Sequence, residues 1–338
     1  MHDQIPLTMR SLPRRRFIRA IAATIGLGLD GLTVTAASAA DDRPLQIIVG
    51  YSAGGGTDVL ARILSEPLSK VLGRPVIVRN VPGASGQIAA SALLREGDDG
   101  AAILAINHPD LYMVVERNTA PLHASDFRVI VVDVQDPRVF LVKADSEFDT
   151  FAAFVTRAKA QPGTLAVSVT AGSAQELFAK WLFAKLGLDV TIVGYRGGAE
   201  AATALLASNV AANLGDDFAR LNLRPSTRAL FVGSQSKSPR WPEAPTLTSA
   251  LAPYGVTPPS PNFLSRYGIY VVPSSFKAKD PAAYANLQQA LLKARNSPAF
   301  LDYIAKNKLD DLSIGTPGEA LDALFATDAA EIAKIDRR

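Results

Sequence analysis

The chain of 338 residues contains no cysteine, so disulfides, thiolate metal sites, a cysteine nucleophile and a lipid-anchored N-terminal cysteine are all excluded. Histidine is scarce as well. His2 lies in the N-terminal region, and His108 and His123 match no metal-ligand spacing. The sequence therefore predicts no metal site and no cofactor, and the stability of the fold must come from its hydrophobic core.

The N-terminal region lacks the long uninterrupted apolar run of a membrane-spanning helix, because glycines and an aspartate break its apolar stretch. It has the order of a signal peptide instead. The basic segment Arg14–Ala20, RRRFIRA, has a twin-arginine appearance, small apolar residues follow to Val34, and Ala37-Ser38-Ala39 predicts cleavage after Ala39. We expect residues 1–39 to be removed on export to the periplasm, and we expect no stable membrane insertion.

The mature chain has no excess of either charge. The whole chain contains 35 Lys and Arg residues and 32 Asp and Glu residues. Five of the basic and two of the acidic residues lie in the leader, which leaves 30 of each after cleavage. Without excess positive charge there is no general attraction to nucleic acid or to an anionic membrane surface. We therefore predict no nucleic-acid partner.

After the leader, short β-branched runs alternate with amphipathic helical stretches, which is typical of α/β proteins with helices on both faces of a doubly wound parallel sheet. The predicted strands are Leu45–Gly50, Val76–Arg79, Ile103–Ile106, Val129–Val132, Val139–Lys143, Leu165–Val169, Val190–Val193, Ala211–Asn213 and Leu230–Val232. The predicted helices are Thr57–Leu72, Phe151–Ala160, Ala174–Leu186 and Ala199–Ala207. Pro67 predicts a bend in the first helix. Thr316, Pro317 and Glu319 predict the N-cap, N1 and N3 positions of a terminal helix.

The segment Leu45–Leu64, LQIIVGYSAGGGTDVLARIL, indicates a buried strand, a glycine-rich turn and a helix. Gly54, Gly55 and Gly56 leave bare N–H groups at the helix start, where the dipole favours an anion by about 0.3–1 kcal/mol. A P-loop would need a lysine that is absent, and Val59 stands where the dinucleotide fingerprint needs its third glycine. The turn therefore favours a carboxylate or phosphate over a nucleotide.

A second turn of the same style lies in the segment Leu165–Gly187, LAVSVTAGSAQELFAKWLFAKLG. Thr170, Gly172, Ser173 and Gln175 are concentrated where its strand ends and its helix begins. In open α/β sheets, ligands bind outside the carboxyl ends of the strands. Two such turns, one from each half of the chain, could hold a small molecule between them.

Several ordered segments together resemble the Bug family of extracytoplasmic solute receptors, the binding components of tripartite tricarboxylate transporters. The resemblance covers essentially the whole mature chain. The segments that carry it are IIVGYSAGGGTDVLARIL with VIVRNVPGASGQIAA at Val76–Ala90, SVTAGSAQELFAKWL, VGYRGGAEAATALLASNV at Val193–Val210, SKSPRWPEAPTLTSALAPYGV at Ser236–Val256, and YGIYVVPSSF at Tyr267–Phe276.

The resemblance implies a type II periplasmic-binding-protein fold, a Venus flytrap of two doubly wound α/β domains joined by two crossover segments. Domain 1 would comprise residues 43–142 and 265–338, and domain 2 residues 143–264. It implies a monomeric receptor, not an enzyme, that binds a small carboxylate and delivers it to membrane transporter subunits. The ligand-binding residues it implies are Tyr51, Ala53, Gly54, Gly55, Gly56, Thr57, Asp58, Asn107, Thr170, Gly172, Ser173, Ala174, Gln175 and Asp216.

Some positions depart from the family pattern or allow a second role. Glu176 stands where these receptors often have histidine, and Arg196 stands where they often have lysine. Arg196 either contacts a second carboxylate or lies at the surface. Asp58 either contacts ligand or orients the glycine turn, and Asp216 either contacts ligand or caps a helix. The ligand could be a mono-, di- or tricarboxylate, an aromatic acid or an amino acid.

Two other functions are compatible with this pattern. A receptor of the same fold could present its ligand to a membrane sensor kinase instead of a transporter, and nothing in the sequence separates the two. A secreted α/β hydrolase would need a G-x-S-x-G elbow, but Gly83-Ala84-Ser85-Gly86-Gln87 lacks the final glycine. The hydrolase is therefore disfavoured.

Overall fold

The computed structural model describes residues 43–117, 121–258 and 262–336. The predicted leader, residues 1–39, lies outside the described residues, so its cleavage stays a prediction. Among the residues that are described, no helix combines the length and the apolar character needed to span a membrane.

The described chain alternates strands and helices. The strands are β1 (Leu45–Val49), β2 (Val76–Asn80), β3 (Ala102–His108), β4 (Phe127–Lys143), β5 (Ala166–Thr170), β6 (Thr191–Tyr195), β7 (Ala212–Asp216), β8 (Thr227–Val232), β9 (Ser265–Pro273) and β10 (Ser313–Pro317). The helices are α1 (Gly56–Leu72), α2 (Gln87–Glu96), α3 (Asp110–Glu116), α4 (Phe151–Ala160), α5 (Ala174–Leu186), α6 (Gly198–Leu206), α7 (Leu247–Leu251), α8 (Ser274–Lys279), α9 (Pro281–Arg295), α10 (Pro298–Lys306) and α11 (Asp322–Asp336). A 3₁₀ segment, Phe218–Ser226, follows β7.

The strands form two sheets that share β4. In the first sheet the order is β2-β1-β3-β9-β4, with β1 parallel to both neighbours and β9 antiparallel to β3 and β4. β10 also pairs with β4 there. In the second sheet the far half of β4 pairs with β7 and β8, and β5 lies parallel between β7 and β6. We call each sheet with its packed helices a lobe.

The chain passes between the lobes along two strands. β4 leaves β9 at Pro137 and joins β7 from Arg138 onward. The return begins at Ser265, which is paired with Pro137 at the start of β9. The two crossings therefore lie side by side. The predicted domain limits at 142/143 and 264/265 stay predictions.

Each lobe has its own core. The first is mostly aliphatic, and Leu45, Ile47 and Ile48 of β1 are fully buried, as expected of a parallel strand covered on both faces. The second contains an aromatic cluster in which the ring of Phe140 lies 5.0 Å from that of Phe154 and 5.3 Å from that of Phe231. Most of the buried apolar side chains of each lobe therefore belong to that lobe's own cluster.

Two of the sequence predictions differ from the structure, one at β4 and one before the terminal helix. The strands predicted at Val129–Val132 and Val139–Lys143 are one strand, β4. Helix α1 is continuous through Pro67, and the bend expected there stays a prediction. The predicted N-cap at Thr316 is wrong, because residues 313–317 form β10 and the terminal helix begins only at Asp322. The ladder bonds that β10 makes with β4 are non-local, so the capping pattern could not reveal them.

Hydrogen bonds to the Glu319 side chain fix the segment that follows β10. They predict that the stability of the fold depends on pH. It accepts hydrogen bonds from Lys277 Nζ at 2.9 Å, Tyr284 OH at 2.8 Å and Gln288 Nε2 at 3.0 Å. Burial alone would raise the pKa of Glu319, but these bonds outweigh it and lower the pKa to about 2. A lowered carboxyl pKa stabilises the fold above the unfolded value of 4.5, and this contribution is lost as pH falls towards 2.

We therefore expect Glu319→Gln to flatten the acid limb of the stability curve. Over that window the wild type should lose about 2 kcal/mol through this group, allowing for solvent screening of a side chain that is one third exposed. Urea unfolding at pH 7, 4.5 and 2.5 measures this. Glu66→Gln is the control, since Glu66 pairs with Lys70 on the open surface. Equal acid limbs in Glu319→Gln and wild type would contradict the assignment.

Candidate functional site

The turn between β1 and α1 exposes the start of a helix. Gly54 has φ +81°, a conformation that favours glycine, and Gly55 is the N-cap of α1 without any side-chain cap. The first amides of α1, at Gly56 and Thr57, therefore have no partner within the helix. This end of α1 carries the positive end of the helix dipole.

The carboxylate of Asp58 fixes the conformation of the glycine turn. Its carboxylate accepts hydrogen bonds from Gly54 N at 2.8 Å and from Asn80 Nδ2 at 2.9 Å, and it pairs with Arg62. Burial alone would raise the pKa of Asp58, but these bonds hold the pKa below its ordinary value. These contacts agree with the second of the two roles considered for Asp58, which is to orient the glycine turn.

The turn between β5 and α5 is fixed by its own side chains. Ser173 is the N-cap of α5, and its Oγ accepts from Gln175 N at 3.1 Å and donates to Thr170 O at 2.7 Å. Gln175 Oε1 accepts from Thr170 N, and its Nε2 donates to Asp216 Oδ2 at 2.7 Å. The side chain of Gln175 is therefore held on the carboxylate at the end of β7.

A buried space lies where the two turns face each other, and we call it the cleft cavity. Its volume of about 30 Å³ has room for roughly two water molecules. The residues that line it are Tyr51, Gly55, Gly56, Thr57, Asn107, Asp110, Arg138, Thr170, Gln175, Gly198, Asp216, Ala219, Arg220 and Arg266. Eight of the residues implied by the family resemblance are among them.

The other six residues of that set lie in the same two turns without lining the cavity. They are Ala53, Gly54, Asp58, Gly172, Ser173 and Ala174. Arg196 points away, since its side chain is 76% exposed and pairs with Glu200. Glu176 instead accepts a hydrogen bond from Gly172 N at 2.6 Å and pairs with Lys180.

An ion network forms the floor of the cavity. Asp216 accepts from Arg138 at one oxygen and from Arg266 Nε, at 3.1 Å, at the other. Arg266 also donates to Asp136 Oδ2 at 2.9 Å and to Asn107 Oδ1 at 2.8 Å. Burial raises the pKa of Asp136 to about 6, although the charge of Arg266 opposes this. Asp216 is thus already occupied by two arginines and Gln175.

Arg220 differs from the other two arginines. Its side chain is 2% exposed, and its Nε donates to Asn213 Oδ1 at 2.7 Å. Among the described residues, no carboxylate forms an ion pair with Arg220, and its Nη2 is buried without a hydrogen-bond partner. Burial lowers the pKa of this guanidinium, although the charges of Asp216 and Asp136 oppose the shift. The site therefore contains a buried cation that forms no direct ion pair with any described carboxylate.

Asp110 is a carboxylate that the protein itself places across the cleft. It accepts from Tyr51 OH at 2.7 Å in the first lobe and from Ala174 N at 2.8 Å at the start of α5 in the second. Burial and the neighbouring Asp110 raise the pKa of Tyr51 well above its ordinary value. Since Asp110 occupies the first amide of α5, the anion-binding groups that stay available are the start of α1 and Arg220.

Further contacts join the lobes at the rim of the cleft. Ser52 Oγ donates to Glu200 Oε1 at 3.1 Å, and Arg117 donates to the carbonyl of Gly172. Ser85 Oγ donates to the carbonyl of Ala171. These bonds connect the rims of the two lobes directly, so the described arrangement is closed.

Gly56 gives a direct test of closure. A Cβ at Gly56 would lie 2.8 Å from Ala219 Cβ in the opposite lobe, 3.0 Å from Arg266 Nη2 and 3.2 Å from Ala219 Cα. A Cβ at Gly55 would meet only Ser52 O at 3.5 Å. We expect Gly56→Ala to weaken ligand binding about tenfold or more, because overpacking opposes closure. Calorimetric titration with the ligand measures this.

Two variants control for the general effect of an added methyl group. Gly55→Ala should bind nearly as well as wild type, and Ala219→Gly in the Gly56→Ala background should restore part of the affinity by removing the nearest clashing atom. If Gly55→Ala and Gly56→Ala bind equally, the contact with Ala219 does not limit closure.

The three buried arginines and Asp110 were not predicted from the sequence. Arg138 lies in β4, Arg220 in the 3₁₀ segment and Arg266 in β9, and none belongs to a recognisable motif. A buried arginine has the same local sequence pattern as a surface arginine. Only the pairing of distant strands brings these side chains together.

Comparison with known proteins assigns this architecture to a class. The structure of MatC from Rhodopseudomonas palustris with bound malate matches with a TM-score of 0.74 at 18% identity, covering 87% of this chain and 98% of that one. The fold is therefore that of two-domain periplasmic solute-binding proteins, as predicted.

Sequence comparison gives the family. A family model described as the tripartite tricarboxylate transporter family receptor matches residues 60–316. A UPF0065 protein from the gbd 5′ region of Cupriavidus necator is 31% identical, covering 87% of this chain and 89% of that protein. Protein BugT of Bordetella pertussis is 29% identical, covering 84% and 87%. The chain belongs to the tripartite tricarboxylate transporter receptor family, a class of periplasmic solute receptors and not of enzymes.

Proposed function

We propose that this receptor binds a small dicarboxylate in the cleft cavity and delivers it to a membrane transporter of the tripartite tricarboxylate type. The observation that carries the proposal is Arg220, whose Nη2 has no hydrogen-bond partner and whose side chain lines the same buried space as the first residues of α1. Two separate anion-binding groups in one cavity suit two carboxylates. Arg220 can hold the second through charge-assisted hydrogen bonds.

The two carboxylates of the cavity distinguish a dicarboxylate from an amino-acid ligand. Asp216 is engaged by Arg138, Arg266 and Gln175 and has little capacity left for an amino group. An amino acid would have to use Asp110, which accepts from Tyr51 OH and Ala174 N. The structural neighbour MatC has malate bound, which is also a dicarboxylate. The six further site residues then position the turns, while the eight that line the cavity surround the ligand.

At about 30 Å³ the cavity is too small to enclose such a ligand, so the lobes separate for entry and then close on the ligand less tightly than in the arrangement described here. Binding at the interface of two lobes favours the closed state and shifts the population towards it. The transporter would then recognise the closed receptor. No observation favours the sensor kinase. The hydrolase has no support either, because Ser85 donates to a backbone carbonyl and the residues that line the cleft cavity include no serine or histidine.

The proposal is tested by thermal unfolding of protein that has been unfolded and refolded to remove any bound ligand. Succinate, malate and adipate are compared with propionate, benzoate and glutamate. A dicarboxylate at about 100 times its Kd should stabilise the native state by about 2.7 kcal/mol and raise the Tm by about 5–8 °C, with smaller shifts for monocarboxylates. If no carboxylate raises the Tm, the ligand class is wrong.

A further inference from the structure

A second cavity lies outside the cleft, beneath the C-terminal helix α11. Its volume is about 240 Å³, and its walls come from α3, the start of β4, β9 and α11. Leu111, Val115 and Phe325 supply apolar surface. An apolar cavity of about 150 Å³ is enough to bind benzene. The α11 cavity therefore has the size and the surface to enclose one aromatic ring.

Two residues that line the α11 cavity each have a buried nitrogen atom that makes no hydrogen bond within the described part of the chain. They are His108 Nε2 and Arg128 Nε. His108 is only 4% exposed, and the nearest carboxylate oxygen, Asp328 Oδ2, lies 3.5 Å from its Nε2. Buried polar atoms normally have a partner, so an unsatisfied nitrogen beside a cavity points to an occupant that supplies one.

The charges around the α11 cavity exclude an anion as the preferred occupant. Arg128 is already paired with Asp322 at 3.2 Å, and Glu319 lies 3.9 Å from its Nε. Asp328 lies beside His108. Of these acidic side chains only Asp322 lines the cavity, and Glu319 is compensated by Lys277. A carboxylate placed here would have to compete with Asp322 for Arg128. The site suits a neutral molecule.

The ring of Phe325 is stacked on His108, with centroids 4.1 Å apart, and extends the aromatic surface of the wall. A hydroxyl group on a neutral ring can donate or accept a hydrogen bond, so it can pair with His108 Nε2 in either tautomer. The ring itself would pack against Phe325 and Val115. A phenol combines both features.

We propose that the α11 cavity is a second binding site that takes a neutral hydroxylated aromatic molecule of the size of phenol. Its hydroxyl group bonds to His108 Nε2, and its ring packs under α11. The site does not overlap the cleft cavity, although His108 follows Asn107 directly in β3. Helix α11 contributes Phe325 to the core of the first lobe and Ile332 to that of the second, so its occupant lies against a helix that contacts both lobes.

The test is an NMR titration of the full receptor with phenol, toluene and benzoate. We expect saturable binding of phenol that is about tenfold tighter than that of toluene, which lacks the hydroxyl group, and also tighter than that of benzoate. His108→Phe keeps the packing but removes the nitrogen, so it should make phenol and toluene bind equally. Val115→Phe fills the cavity and should abolish the binding of both. Thermal unfolding checks that each variant is folded.

The cleft variant Arg220→Met separates the two sites. Phenol should bind to it as to wild type, whatever the outcome for dicarboxylates. Loss of phenol binding in Arg220→Met with retention in Val115→Phe would place phenol in the cleft and overturn the proposal. Equal binding of phenol and toluene by wild type, or no saturable binding of phenol, would overturn it as well.

Discussion

Arg220→Met is expected to lower the affinity for the dicarboxylate by about 100-fold or more while the ligand-free protein stays folded. Truncating one partner of a buried, hydrogen-bonded charge pair typically costs about 2–5 kcal/mol, which corresponds to factors from about 30 to several thousand. Here the ligand carboxylate would be left in a closed, nearly dry cavity without its counter-charge. Calorimetric titration with the best ligand of the thermal panel measures the loss.

The stability of the ligand-free protein should change little, because two effects oppose each other. Removing Arg220 relieves the cost of burying a guanidinium that has no carboxylate partner, a cost also seen in its lowered pKa. At the same time Asn213 Oδ1 loses the donor that now lies 2.7 Å away. Each effect is about 1–3 kcal/mol, so we expect a net change below about 2 kcal/mol. An affinity loss with a preserved Tm separates recognition from folding.

Two further variants sharpen the interpretation. Arg220→Lys keeps the charge but loses the planar fork and the bond to Asn213, so an intermediate loss of about tenfold is expected. Arg196→Met removes an arginine of the exposed surface near the same cleft and should leave the affinity unchanged. If Arg220→Met binds within about threefold of wild type, the second carboxylate does not lie on Arg220.

The glycine turn could be predicted from the sequence because its causes are local. Three glycines between an apolar run and a 3.6-residue pattern define the turn and the start of α1 without any distant residue. The same holds for the turn at Ser173, where the capping serine and Gln175 are neighbours in the chain. Both turns were therefore placed correctly at the carboxyl ends of their strands.

The polar floor of the site could not be predicted, because its causes are distant. The middle of β4 carries Asp133 and Asp136, so the sequence indicates two short strands with a polar break. The structure compensates these carboxylates with Arg295 of α9 and Arg266 of β9, which lets the strand continue from one lobe to the other. Neither arginine is close to its partner in sequence, and nothing local marks either as buried.

Arg240→Met is expected to cause the largest loss of stability of any single charge removal discussed here, about 3–5 kcal/mol. Arg240 is 1% exposed and lies between two carboxylates. Its Nε and Nη2 donate to Asp217 at 2.8 and 3.0 Å, and its Nη1 and Nη2 donate to Asp311 at 2.6 and 3.0 Å. Burial alone would lower the pKa of Arg240, but these two partners raise it above its ordinary value.

The loss of stability comes from the buried carboxylate that remains when Arg240 is removed. Asp217 is completely buried, and without Arg240 its remaining side-chain donor among the described residues is Ser238 Oγ at 2.6 Å. A buried carboxylate without a counter-charge is strongly destabilising, whereas Asp311 is 48% exposed and can be solvated. With roughly 2–4 °C for each kcal/mol in a domain of this size, the Tm should fall by about 10 °C. Thermal unfolding measures the shift.

The double variant Asp217→Asn with Arg240→Met shows whether the uncompensated charge of Asp217 causes the loss of stability. If it is, neutralising Asp217 should recover more than half of the loss, and the double-mutant cycle should give a coupling of several kcal/mol.

Arg157→Met is the matched control, because Arg157 pairs with an exposed Glu147 at 3.6 Å and should contribute less than about 1 kcal/mol. Equal Tm losses in Arg240→Met and Arg157→Met would show that burial of the Asp217 pair contributes nothing. The same cycle with Asp311→Asn in place of Asp217→Asn measures whether Arg240 also links the lobes, since Asp217 follows β7 of the second lobe and Asp311 precedes β10 of the first.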